Sequence, residues 1–157
     1  MLDLLRKTAS EDGAEDSGKF VSMSSQLSVL LPKSGGVPCC HWFTGTPYPS
    51  RSIFKPFIFC DGAAIGDKTT SQKSSECAAV AGKLVDCRPA LHVAHKEFVA
   101  RLEKQDSKSQ MTLQQLHELE SNCLQDVEDI MRNFDVTASS RVSSIFHHIT
   151  DLEMNFY

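Results

Sequence analysis

The segment from residue 20 to residue 60 constrains the fold of this chain more than any other. It holds three short apolar runs, and clusters of turn-forming residues separate them at 32–36 (PKSGG) and 44–49 (TGTPYP). Leu27, Val29 and Leu31 recur at every second position, which is the period of a strand with one apolar face. Turns this short join antiparallel neighbours. We therefore predict three strands, over 23–31, 37–43 and 51–60, in an antiparallel meander.

Pro56 limits where the third predicted strand can lie in the sheet. Proline has no backbone N–H and cannot donate a hydrogen bond to a neighbouring strand, so it is found at sheet edges and bulges. We therefore predict that this strand has an edge or a bulge at Pro56.

The region from residue 89 to residue 157 has helical periodicity, with apolar residues at intervals of three and four. Pro89 suits a first helical turn, and Thr137 or Ser139 can cap a third helix. The polar stretch 105–110 is either a turn or an exposed part of one continuous helix. The apolar residues form one stripe for each of three predicted helices. The stripes are Leu91, His95, Phe98 and Leu102; Leu113, Leu116, Cys123, Val127, Ile130 and Phe134; and Val142, Ile145, Ile149, Leu152 and Phe156.

Composition divides the chain into three regions. Residues 1–60 hold a helix end and the meander, residues 61–88 form a connector rich in Ser, Gly and Ala, and residues 89–157 are helical. The predicted fold class is α+β, an antiparallel β-meander with packed C-terminal helices.

Length and charge exclude some functions. A chain of 157 residues is about one domain. The net charge of −4 leaves no basic footprint for nucleic acid. The apolar stretches fall far short of the ~20 residues that cross a bilayer. We predict neither a nucleic-acid partner nor a membrane span.

Six cysteines could indicate three disulfides, but the N-terminus does not resemble a secretory signal. It begins Met1-Leu2-Asp3, with no basic region and no long apolar stretch. Thiols stay free in a reducing compartment. We therefore predict free thiols at Cys39, Cys40, Cys60, Cys77, Cys87 and Cys123.

No motif specifies a catalytic or metal site. Neighbours on a strand point to opposite faces, so Cys39 and Cys40 cannot easily share an ion, and we expect small packed hydrophobes there. His92 and His95 have a spacing that can share a metal, but no third ligand lies at a recognisable offset, so surface or partly buried histidines are expected. The nucleophile elbow, P-loop and dinucleotide fingerprint are absent. We assign no catalytic residue, no metal ligand and no cofactor.

Arg51 is the main candidate binding residue. It follows a proline-rich turn at the entry to an apolar strand, where a guanidinium could bind a carboxylate in a fork. Alternatively, it pins the turn by bonding to the turn carbonyls. Thr44 and Thr46 complete the candidate binding set. We predict that Arg51 is at least partly buried and bonded to turn carbonyls or an acidic side chain, and that Arg51→Lys is destabilising.

One run of the chain is distinctive enough to indicate a family: residues 40–59, CHWFTGTPYPSRSIFKPFIF. It resembles a hallmark segment of the secernins, a branch of peptidase family C69. The segments 27–32 (LSVLLP) and 2–6 (LDLLR) also match that pattern, and the helix around residues 116–120 and the ending EMNFY at 153–157 fit more loosely. The family usually has Asp at the position of Tyr48, so this turn lacks the family's carboxylate.

The resemblance implies an N-terminal-nucleophile (Ntn) hydrolase fold, a four-layer αββα sandwich of which this chain matches the C-terminal portion. It also implies cysteine-type dipeptidase activity, hence proteolysis, in a cytoplasmic protein linked in some members to regulated exocytosis. A dipeptide is the implied substrate if the chain belongs to a longer protein. The alternative is a non-catalytic interaction protein with a protein partner or self-association.

The family's nucleophile is an N-terminal cysteine whose own amino group can act as base. Here the sequence begins Met1-Leu2, so we expect no dipeptide hydrolysis by this chain alone. A fragment, a truncated gene model and a degenerate paralogue all fit that expectation. We also expect an uncovered sheet face to favour self-association.

Overall fold

The computed structural model describes residues 2, 4–6, 23–32, 36–71, 87–134 and 142–157. The elements in chain order are β1 (Gln26–Val29), β2 (Cys40–Phe43), a 3-10 turn (Pro49–Arg51), β3 (Lys55–Ile58), α1 (Ala90–Glu103), α2 (Ser107–Arg132) and α3 (Ile145–Phe156). The fold is therefore mixed α+β, as predicted. The candidate caps Thr137 and Ser139 lie outside the described residues.

The three strands form one antiparallel sheet in the order β1-β2-β3, which confirms the meander. Trp42 lies opposite Leu27 on one side and opposite Pro56 on the other. Pro56 is thus on a strand at the edge of this sheet, where a missing N–H costs no ladder bond. The strands are shorter than predicted because residues 49–51 turn before β3 begins and residues 30–32 lie outside the ladder.

The polar stretch 105–110 is a turn followed by the start of a second helix, which resolves the alternative left open by the sequence. Helix α1 ends at Glu103, and Gln105 adopts a left-handed φ of 56°. Asp106 then caps α2, because its carboxylate accepts from the backbone N–H groups of Lys108 and Ser109.

Two apolar clusters form the core. The first joins one face of the sheet to the C-terminal half of α2, with Trp42 and Ile58 against Val127. The second lies among the three helices and includes Ile53 from the chain just before β3. Its helical members include Phe98, Leu116, Cys123 and Ile149. Residue Ile53 thus anchors the entry to β3 in the helical layer.

The opposite face of the sheet carries aromatic side chains that remain partly open to solvent. We call Phe43, Phe57 and Phe59, together with Phe146 of α3, which packs on them and is buried, the aromatic face. The rings of Phe57 and Phe59 meet edge to face with centroids 4.9 Å apart, and Phe146 from α3 lies 5.8 Å from Phe57. Together with Ile65, they line an apolar cleft of about 320 Å³.

Self-association through the aromatic face is testable with a matched pair of substitutions. Phe59 and Met111 are each 64% exposed, but only Phe59 lies on this face. We expect Phe59→Glu to lower the apparent mass in sedimentation velocity and Met111→Glu to leave it unchanged, since a charge in an apolar contact is costly. Equal effects of both substitutions, or a monomeric starting protein, would contradict self-association through this face.

The cysteines only partly follow the prediction of free thiols. Cys39, Cys40, Cys60 and Cys123 are free, and Cys40 is packed in the core as expected. The prediction is wrong for Cys87, which is disulfide-bonded, and Cys77 lies outside the described residues. The prediction rested on the N-terminal sequence, whereas a disulfide depends on which sulfur atoms the fold brings together.

Within the part of the chain that the structure describes, no helix combines the length and the hydrophobicity needed to cross a membrane. Helix α2 is the longest of the described helices, with 26 residues, but its apolar residues form a stripe within a largely polar sequence.

Candidate functional site

A completely buried ion pair joins the sheet to the last helix. The Nζ of Lys55 lies 2.6 Å from Oε2 of Glu153, and both side chains have 0% exposure. Lys55 also donates to the Thr44 carbonyl and, at 3.4 Å, to the Ile53 carbonyl. A buried charge needs such partners because isolated ions are strongly destabilised in the interior.

The pair continues into a chain of hydrogen bonds that reaches helix α1. The Tyr157 hydroxyl donates to Oε1 of Glu153 at 2.7 Å and lies 3.1 Å from Nδ1 of His95. On the other side of the imidazole, Nε2 lies 3.5 Å from the Ser52 hydroxyl. We call Lys55, Glu153, Tyr157, His95 and Ser52 the buried network.

Thr44 and Thr46 lie beside this network and are buried, as is Ser52. The Thr44 hydroxyl donates to the Thr46 carbonyl at 2.8 Å, and the Thr46 and Ser52 hydroxyls are 2.7 Å apart. The Ser52 hydroxyl also donates to the Pro47 carbonyl at 2.9 Å. The structure therefore brings the two threonines together inside the turn, and their binding role stays a prediction.

A second buried carboxylate holds the segment before β3. Glu120 of α2 accepts from the Phe54 backbone N–H at 2.6 Å. One guanidinium nitrogen of Arg6 lies 2.7 and 2.6 Å from its two oxygens. Arg6 also donates to the Pro49 carbonyl at 3.3 Å and lies over the Phe54 ring. Glu120 thus ties together the N-terminal segment, α2 and the sheet.

Arg51 is partly exposed, unlike the two buried threonines. Its guanidinium binds Glu103 of α1 at 3.0 Å and stacks on the Tyr48 ring, with the side chains of Arg51 and Glu103 27% and 62% exposed. The prediction that Arg51 is partly buried and bonded to an acid is confirmed. Tyr48 has a left-handed φ of 57°. Asp, which the secernins usually have at this position, tolerates that conformation better than Tyr does.

We expect Arg51→Lys to destabilise the chain by about 0.5–1 kcal/mol, because a lysine keeps the charge but loses the planar stacking on Tyr48. The effect is small because the pair is open to solvent. Chemical denaturation in low and high salt measures it, and Arg132→Lys, in an exposed helical pair, serves as the control. A change equal to that of the control would contradict a special role for the guanidinium.

A cleft of about 510 Å³ opens between this turn and α1, and we call it the basic cleft. Lys96 lies on its wall, and His95 of the buried network lies at its inner end. The cleft therefore connects the buried network to the surface. Its lining comprises Met23, Pro47, Tyr48, Arg88, His92, His95, Lys96, Val99, Ala100 and Glu103.

Burial lowers the pKa of His95 to about 4, and the nearby positive charges of Lys55, His92 and Arg51 act in the same direction, while a hydrogen bond with the Pro47 carbonyl opposes them. Neutral His95 is thus favoured in the folded chain. The unfolded pKa is about 6.5. The contribution of neutral His95 to the free energy of unfolding is fully present above about pH 6.5 and is lost as the pH falls towards 4.

We therefore expect the free energy of unfolding to fall between pH 6.5 and 4, with His95 contributing up to about 3 kcal/mol to the loss. His95→Gln should be less stable at pH 7 and have a flatter profile over this range. Denaturation midpoints measured at half-unit steps test this, with His148→Gln, which is exposed, as the control. Parallel profiles for His95→Gln and the unsubstituted chain would overturn the assignment.

The buried thiols lack the character of nucleophiles. Burial raises the pKa of Cys40 to about 12, and Cys123 acts in the same direction. Burial likewise raises the pKa of Cys123 to about 12, with further increases from Asp126 and Glu120. Since the thiolate is the reactive form, neither supplies an activated sulfur at neutral pH. The described residues contain no group of three or more His, Cys, Asp or Glu arranged to hold a metal ion.

No model of a known protein family and no solved structure matches this chain. The resemblance to the secernins therefore rests on the quoted residues, above all the run 40–59. The structure gives that run a definite form: it comprises β2, the turn with the 3-10 segment, and β3.

The organising roles of Lys55, Glu153 and Glu120 were not predicted from the sequence. Lys55 alone had a signal, since it is a lysine inside an apolar strand of the hallmark run. Glu153 and Glu120 lie among other acids of amphipathic helices, and only packing distinguishes them. His95 was noted for its spacing to His92, but its partners come from distant parts of the chain.

Proposed function

We propose that this chain is part of a secernin-like protein of peptidase family C69, a cysteine-type dipeptidase by family. In this proposal the chain supplies scaffold to the enzyme, and the nucleophile for proteolysis comes from elsewhere in the protein. The family resemblance adds a cytoplasmic location.

The proposal rests on the difference between the two faces of the sheet. One face packs on α2, whereas the other packs on α3 at Lys55 and Phe57 and leaves Phe59 largely exposed. In an αββα sandwich each sheet is covered by helices on one side and by a second sheet on the other. Aromatic side chains on the part of this face that α3 leaves open are suited to that second contact. The aromatic face thus supports an Ntn-hydrolase sandwich completed by further strands.

The chemistry of the described residues supports a scaffold role. The thiols of Cys40 and Cys123 are protonated at neutral pH, and the Ser52 hydroxyl is buried and shared with Thr46 and Pro47. The polar groups of the hallmark run therefore hold the turn in shape instead of reacting with a substrate.

The natural protein tests the proposal directly. We would isolate it from its source with an antibody against α2, determine its mass and N-terminal residue, and measure dipeptide hydrolysis with and without iodoacetamide. The expected result is a longer protein with an N-terminal cysteine and an alkylation-sensitive activity. A longer protein without either feature would overturn the proposal.

A second candidate function is a non-catalytic interaction protein linked to regulated exocytosis. A cleft of about 600 Å³ between α2 and α3 favours it, because Ile130, Ile149 and Leu152 form apolar walls and Asp126 and Asp129 add acidic groups. Such a groove suits a helix with an apolar and a basic side. In the same isolation, a natural protein of 17.4 kDa that hydrolyses no dipeptide and carries a bound partner would favour this candidate.

A further inference from the structure

The outer edge of β1 presents backbone groups that face away from the sheet. The Thr44 N–H donates to the Ser25 carbonyl at 3.1 Å and the Ser25 N–H donates to the Thr44 hydroxyl, so both backbone groups of Ser25 point towards β2. Backbone groups alternate in direction along an antiparallel strand, so those of Gln26 and Ser28 point away from β2. Among the residues that the structure describes, no strand lies on that side of β1.

The same alternation continues just beyond β1. The Leu31 N–H donates to Sγ of Cys39, which directly precedes β2, at 3.4 Å. The backbone groups of Leu30 therefore point outward, as those of Ser28 do. Three alternate residues, at positions 26, 28 and 30, thus offer N–H and C=O groups to a further strand.

This edge lacks features that usually prevent an edge strand from pairing with another chain. Charged side chains and prolines protect many natural edges, but the stretch from Met23 to Leu31 has neither. Leu30 is 73% exposed and Val29 is 45% exposed, so the edge is also apolar. An uncharged, apolar edge of this kind is suited to the addition of another strand.

We infer that two copies of this chain pair through the outer edges of β1, antiparallel to each other about a two-fold axis at Ser28. In this register Ser28 lies opposite Ser28 of the second copy, and Gln26 lies opposite Leu30. Each outward N–H then faces an outward C=O, so the edge is complementary to itself. The absence of charge suits a two-fold contact, because like charges directly opposite each other are destabilising. The two three-stranded sheets thus join into one continuous sheet.

The edge contact is separate from the aromatic face. Phe59 directly follows β3, at the other edge of the sheet from β1. Phe59→Glu therefore removes an association through the aromatic face and leaves the edge of β1 able to pair. The edge contact involves no catalytic group, so it does not depend on the proposed dipeptidase role.

Opposite charges placed at the two-fold axis test this pairing in the full chain that carries Phe59→Glu. Sedimentation velocity should show a dimer of this background protein. Ser28→Lys and Ser28→Glu should each raise the dissociation constant of the dimer about tenfold, because like charges then meet at the axis. An equal mixture of the two variants should restore the dimer. Ser121→Lys and Ser121→Glu, at an exposed serine of α2, should leave the dissociation constant unchanged.

A monomeric background protein, or Ser28 variants that dimerise as well alone as when mixed, would overturn the pairing. Hydrogen exchange of the background protein gives a second readout that needs no substitution at the edge. The Ser28 amide should exchange about tenfold more slowly in concentrated, dimeric protein than in dilute, monomeric protein, because only the dimer provides its acceptor. Equal exchange rates of the Ser28 amide at the two concentrations would also overturn the pairing.

Discussion

Lys55→Met is expected to cost the chain about 3–5 kcal/mol of stability, because it leaves Glu153 charged and without its cation in the interior. Small domains are stable by only about 5–15 kcal/mol. The substitution therefore removes a large share of the total. Chemical denaturation followed by circular dichroism measures the loss, and Lys108→Met, an exposed lysine, is the matched control.

The double variant Lys55→Met with Glu153→Leu distinguishes pairing from simple loss of volume. Removing both charges leaves no buried ion, so the double variant should be more stable than Lys55→Met alone. The Tyr157 hydroxyl loses its acceptor in that variant, which keeps recovery incomplete. If the single and double variants had equal stability, the ion pair would not be the source of the loss.

Glu120→Ala should have the second largest effect, again about 3–5 kcal/mol. The substitution leaves the Phe54 N–H without its acceptor and Arg6 without its carboxylate, both in a largely buried setting. The unpaired Phe54 N–H adds a desolvation cost, and the loss of the contact with Arg6 adds to it. The unfolding midpoint of the variant measures the sum, and Glu118→Ala, exposed on the same helix, should shift it little.

Glu120→Gln separates the contribution of the hydrogen bond from the Phe54 N–H from that of the ion pair with Arg6. Its amide oxygen can still accept from Phe54 while the charge opposite Arg6 is lost, so we expect a loss smaller than that of Glu120→Ala. Arg6→Met tests the other partner. A Glu120→Ala variant no less stable than Glu118→Ala would show that the N-terminal segment and the sheet do not depend on this carboxylate.

For the predicted binding residues Arg51, Thr44 and Thr46, the sequence indicated the position in the turn but not the contact partners. Arg51 was placed correctly at the rigid turn, because the prolines restrict φ locally. Its partner Glu103 is 52 residues away and could not be foreseen. Thr44 and Thr46 lie in the predicted turn, but their burial beside Ser52 and Lys55 could not be predicted from it.

The sequence by itself determined the three antiparallel strands, the restriction of Pro56 to an edge or a bulge, and the helical C-terminal region. These features depend on periodicity and backbone chemistry within a few residues. Only the tertiary structure decided which charges are buried. Lys55 and Glu153 are 98 residues apart, and nothing in either segment identifies the other as its partner. Burial of a charge is set by what packs over it, and that depends on the whole fold and not on local pattern.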